Sequence, residues 1–131
     1  MSVEVTKLKD STLRHHVIYT LDNRLGSQEY PLPYKSYLRL YVPEGAVAAE
    51  DPDLVDSSSD SGRHVFAKLV DVPTGKVVKV EFEYVTPYYG SMLIQKQPGQ
   101  VTLDVNLSIR ENGSIKKRQE VRLSSKARLD I

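Results

Sequence analysis

Four side chains at two-residue spacing, Lys35, Tyr37, Arg39 and Tyr41, carry the most suggestive chemistry in this chain. An extended strand sends alternate side chains to the same face, so the spacing predicts a Lys-Tyr-Arg-Tyr stripe along residues 34–42. Such a stripe could stack sugars or unpaired bases on its rings and hold phosphates with its cations. Cross-strand pairing explains it more simply, with the ring bodies covered and the hydroxyls wet. The absence of tryptophan weakens the sugar alternative.

The other candidate chemistry is weaker. His15 and His16 are neighbours, and neighbours on a strand point to opposite faces, so they do not readily share a metal. His64 stands apart from both, outside any H-x-H or H-E-x-x-H spacing. Asp51, Asp53, Asp56 and Asp60 offer oxygen ligands for calcium, but their spacing lacks the register that wraps a loop around that ion, which favours a solvated acidic loop. Ser57, Ser58 and Ser59 lack a G-x-S-x-G elbow and a partner base. Glu81 and Glu83 share a strand face beside Lys79, as an ordinary solvated stripe would, although paired carboxylates can also line a hydrolytic cleft. Lys116, Lys117, Arg118, Arg122, Lys126 and Arg128 could meet an anionic polymer. Lysine-rich strands also shield exposed sheet edges from stray pairing, and that role is favoured here. The two N-x-S sequons, at Asn106 and Asn112, matter only in a eukaryotic secretory pathway. A lysine-to-asparagine cross-link of the kind found in β-sandwich surface proteins needs a buried lysine, and alternation leaves none plainly buried.

The elements that must position these residues are strands. Residues 101–110 alternate most clearly, with Val101, Leu103, Val105, Leu107 and Ile109 on one face and Thr102, Asp104, Asn106, Ser108 and Arg110 on the other. Further strands are expected at residues 3–8, 13–21, 34–42, 65–72, 77–85, 91–97 and 115–123. The segment 13–21 is apolar on both faces, as a central strand would be. Pro73-Thr74-Gly75-Lys76 predicts a hairpin between 65–72 and 77–85. Asn112-Gly113 predicts a second one, because both residues tolerate positive φ. Residues 22–33 read as a connection that proline keeps out of pairing. Residues 46–62, rich in Asp, Ser and Gly, read as a mobile surface loop.

These patterns predict one all-β domain over residues 1–131. The expected fold is an antiparallel, immunoglobulin-like β-sandwich of about seven to nine strands, with a closed or partly open barrel as second choice. The formal net charge of +1 gives no field toward nucleic acid or an anionic membrane, and no nucleic-acid partner is expected. Cysteine is absent, which removes disulfides, thiol nucleophiles and cysteine-ligated zinc. No apolar run approaches the roughly 20 residues that span a bilayer. No coherent constellation for catalysis, cofactor or metal emerges, so a non-enzymatic role is expected.

Several strings resemble the C-terminal region of a bacterial family of membrane-anchored, surface-exposed proteins that carries a domain of unknown function. They are Tyr34-Lys35-Ser36-Tyr37-Leu38-Arg39-Leu40-Tyr41-Val42-Pro43-Glu44-Gly45, Val65-Phe66, Phe82-Glu83-Tyr84 and Leu93-Ile94-Gln95-Lys96-Gln97-Pro98-Gly99, within residues 15–107. The resemblance implies a C-terminal, extracytoplasmic piece of a longer protein, anchored by an upstream segment. It implies a location and no activity, and it supplies no catalytic residues. Dense strand alternation without a catalytic constellation favours a structural, adhesive or protein-interaction role at that surface, and Tyr37, Tyr41, Tyr88 and Tyr89 make a cell-wall or capsular polysaccharide the alternative partner. Lys35, Tyr37, Arg39 and Tyr41 are the candidate ligand-binding residues.

Overall fold

The computed structural model describes residues 1–24, 32–58, 63–95 and 102–131. Among them are eleven strands and no helix: β1 (Ser2–Lys7), β2 (Thr12–Asp22), β3 (Tyr34–Val42), β4 (Val47–Ala48), β5 (Val55–Ser58), β6 (His64–Val72), β7 (Val77–Pro87), β8 (Ser91–Gln95), β9 (Leu103–Glu111), β10 (Ser114–Leu123) and β11 (Lys126–Asp130). They form a six-stranded sheet in the order β10-β9-β1-β2-β7-β4, a three-stranded sheet β3-β6-β5 and a two-stranded sheet β11-β8. None of the sheets closes into a barrel. As the double-sided apolar pattern of residues 13–21 predicts, β2 is central, between β1 and β7. Asn112 and Gly113 adopt φ of 51° and 77°, and β9 and β10 pair antiparallel around them.

Four expectations require correction. The sheets are not all antiparallel: β1 runs parallel to β9, with Val3 opposite Leu107 and Val5 opposite Ile109. This lets β1 bury both backbone edges, because β2 takes its other side. The strand count exceeds nine, because β4, β5 and β11 are too short or too polar to announce themselves by periodicity. Two of these, β4 and β5, lie in residues 46–62, so that segment is not simply a loop. Its residues 59–62 lie outside the described residues, as do residues 25–31 and 96–101, which hold part of the expected connection at 22–33 and most of the Gln-Lys-Gln-Pro-Gly string. Finally, β6 and β7 do not form a hairpin. β6 pairs with β3 and β5, whereas β7 pairs with β2 and β4, so the turn after Val72 carries the chain from one sheet to another.

Asn23 makes that corner. Its side-chain amide donates to the carbonyls of Leu32, Val72 and Pro73 at 3.1, 3.3 and 3.2 Å, and the residue is buried. Its backbone N–H donates to Lys76 O at 2.9 Å, and its carbonyl accepts from Gly75 N at 3.1 Å. Buried carbonyls left without donors are costly, so Asn23→Ala is expected to lower stability by about 1 to 3 kcal/mol. Urea denaturation checks this, and a midpoint equal to that of the parent protein counts against the clamp.

One apolar cluster draws on all three sheets. Val3, Val5, Leu13, Val17, Phe82, Tyr84, Val105, Leu107 and Ile109 come from the six-stranded sheet. Leu38, Val42 and Phe66 come from the three-stranded sheet, and Ile94 and Leu129 from the two-stranded one. Phe66 joins two of these sheets, with its ring centroid 5.7 Å from that of Tyr84.

Candidate functional site

The stripe predicted on residues 34–42 exists, and pairing supplies it with neighbours. Lys35, Tyr37, Arg39 and Tyr41 face Asp71, Leu69, Ala67 and Val65 across β6, and Val55 and Ser57 of β5 lie opposite Ala67 and Val65. Directly opposed residues share a face, so these side chains form the outer face of the three-stranded sheet. Val65 and Ala67 are buried on the central strand, while Tyr37 (48% exposed), Tyr41 (53%), Val55 (49%) and Leu69 (64%) stand around them. The result is an apolar floor with a partly aromatic rim. Lys35 bonds Asp71 at 3.3 Å at one end. The guanidinium of Arg39 lies 5.0 Å from the Tyr37 ring centroid, a cation–π contact that engages one face of that ring. Val55 and Leu69 were missed from sequence, because only the strand register brings them beside the tyrosines.

The outer face of the six-stranded sheet has the opposite character. Arg110 pairs with Glu4 at 2.8 Å, Arg122 with Asp104 at 2.6 Å, Arg14 with Glu83 at 3.7 Å and His16 with Glu81 at 2.8 Å. Glu81 and Glu83 therefore each have a basic partner on this surface, and with His16 they also reach the pocket described next. The edge strand β10 carries Lys116, Lys117 and Arg118 around a bulge between Ile115 and Lys117. Bulges and charges are devices that discourage pairing at an edge.

A second candidate is a pocket of about 180 Å³ between β6 and β7, lined by Phe66, Phe82, Leu54, Lys68, Asp51 and Glu50 among others. The Lys68 side chain is only 14% exposed; its ammonium bonds Asp51 and lies 5.4 Å from the Phe82 ring centroid. Alternation hid this lysine, because Val65, Phe66 and Ala67 are buried consecutively and blur the period. The Lys68 hydrogen bond is the main cause that holds the Asp51 carboxyl below its usual range. Asp51 thus stays ionised near neutrality and is a poor proton donor there. Asp56 lies 3.1 Å from His64 Nε2, so two carboxylates of the acidic segment each meet a nitrogen of another side chain rather than each other. Among the described residues no three His, Asp or Glu side chains stand close enough to hold a metal ion.

His15 and His16 do face opposite ways. His15 is buried, stacked on Tyr84 with centroids 4.6 Å apart, and its Nε2 lies 2.8 Å from Thr86 Oγ1. Its Nδ1 is buried and has no hydrogen-bond partner among the described residues. Burial pushes its pKa down to about 4, so the ring is neutral at physiological pH.

The fold and this face define an all-β domain of mixed and antiparallel sheets that presents one apolar, tyrosine-rimmed surface. No protein family, curated protein or solved structure matches the chain.

Proposed function

We propose that this chain is a non-enzymatic, immunoglobulin-like β-sandwich module that binds a protein partner through the outer face of its three-stranded sheet. In this arrangement the six-stranded sheet forms one layer, and the two smaller sheets form the other. The observation that carries the proposal is the contrast between the two outer faces. One is charge-paired, whereas the other exposes Tyr37, Tyr41, Val55 and Leu69 around the buried Val65 and Ala67. Tyrosine and arginine over an apolar centre are the side chains that dominate protein interfaces. The resemblance in residues 15–107 supports a site of action outside a bacterial membrane, with the module held by an upstream segment.

Leu69→Asp tests the proposal, because Leu69 is exposed and its loss spares the core. Immobilised parent protein is expected to retain a partner from cell-surface extracts, and the variant to retain it at least about tenfold less well. Equal retention by both proteins would reject this face. A polysaccharide partner is the second possibility, favoured by the exposed rings of Tyr37 and Tyr41, although Arg39 already covers part of Tyr37. It predicts that purified cell-wall polysaccharide is retained and that Tyr37→Ala with Tyr41→Ala abolishes retention.

A further inference from the structure

We propose that two copies of this chain pair edge to edge through β3, antiparallel about Leu38, joining their three-stranded sheets into one of six strands. The first support is the state of the edges. Among the described residues β3 pairs only with β6, leaving one side open over nine residues, with no bulge in its register. The strands at the other sheet edges are short or defended, although β4 covers β7 only at Tyr84 and Val85. β4 has two residues, β5 four, and β8 and β11 five each, while β10 is bulged and basic. A long regular edge invites another strand.

The second support is the sequence of β3 itself. In a two-fold antiparallel pair, outward side chains of one copy must oppose outward side chains of the other, so successive allowed registers differ by two residues in their pairing. Centred on Leu38, Lys35 faces Tyr41 of the second copy and Tyr37 faces Arg39, so every cation meets a ring. On the inner face Leu38 meets Leu38, Ser36 meets Leu40 and Tyr34 meets Val42. Centring on Tyr37 instead sets Lys35 against Arg39, and centring on Arg39 sets two guanidinium groups against each other. Like charges directly opposed destabilise a strand pair, whereas cation–ring contacts stabilise it. Only the register on Leu38 avoids the clash and uses all nine residues. Pro33 and Pro43 bracket the strand and limit the pairing to it.

This inference adds a partner to the proposed binding module and stands on the strand edge rather than on that module's ligand. Pairing would place two tyrosine-rimmed faces side by side on one continuous sheet.

Sedimentation of the purified chain over a concentration series tests it. A dimer that grows with concentration is expected. Tyr37→Lys sets lysine against Arg39 of the second copy twice per dimer, and should raise the dissociation constant at least about tenfold. The double variant Tyr37→Lys with Arg39→Asp restores opposite charges in this register and should recover the dimer. Thermal melting of each variant verifies that the monomer folds. A monomer at every concentration overturns the proposal, as does a dimer indifferent to Tyr37→Lys or one that the double variant fails to restore. A missing dimer with Leu69-dependent partner retention intact removes the pairing alone. A dimer without such retention removes the binding role alone.

Discussion

Replacing Phe66 with alanine is expected to lower the unfolding free energy by about 3 to 5 kcal/mol. Phe66 is almost wholly buried, and its ring joins the three-stranded sheet to Tyr84 of the six-stranded one. Truncation removes both the transfer energy of the ring and its contacts, and the surrounding β-strands can collapse only in part to fill the gap. A domain of this kind has about 5 to 15 kcal/mol in total, so the variant would stand near the edge of stability. The loss should be uneven. Because Phe66 anchors the sheet that carries Tyr37, Tyr41, Val55 and Leu69, amide exchange in β3, β5 and β6 should accelerate before that in β1, β2 and β9. Uniform acceleration would show that the two regions open as one unit. A stability loss below about 1 kcal/mol would mean that Phe66 does not join them.

Acidification is expected to destabilise the fold through His15. Burial holds its pKa near 4 against an ordinary 6.5, so between these values the unfolded chain binds a proton that the folded chain refuses. Stability is therefore full above about pH 6.5 and declines as pH falls toward 4, by about 3 kcal/mol in all. Among the described residues no acceptor meets the buried Nδ1, and Thr86 already occupies Nε2. Two aspartates act in a lower window. Asp22 is drawn down to about 2, chiefly by its hydrogen bond from the Arg24 side chain, and Asp104 is lowered by that of Arg122. His15→Gln keeps a hydrogen-bonding side chain without a titrating ring. Urea unfolding from pH 7 to 4 should fall steeply for the parent and stay nearly level for the variant. Equal slopes would remove His15 from the account.

The features that local residues dictate were legible in the sequence. Tyr34 to Val42 reads as a strand because its nine residues alternate cleanly between Pro33 and Pro43, and its outward stripe follows from that alternation alone. Asn112-Gly113 reads as a turn because its backbone geometry is intrinsic to the two residues. What pairs with what was not legible. Pro73 to Lys76 makes a sound turn whether its arms pair or diverge, and the amide that opens them belongs to Asn23, fifty residues earlier. The parallel match of Val3 with Leu107 leaves no mark in either segment. β4 and β5 are strands only because β7 and β6 lend them partners, and the same borrowing completes the candidate face with Val55 and Leu69. The half-buried Lys68 escaped for a related reason: its partners are Asp51 and Phe82, neither of which is near it in the chain.

The place of β1 has a consequence for synthesis. Residues 2–7 leave the ribosome well before residues 106–111, the strand that covers one of their flanks. Until then the nascent chain carries a bare, valine-rich ribbon with a single neighbour. The sheet can close around β1 only once residues 106–111 have emerged, which delays folding of this region.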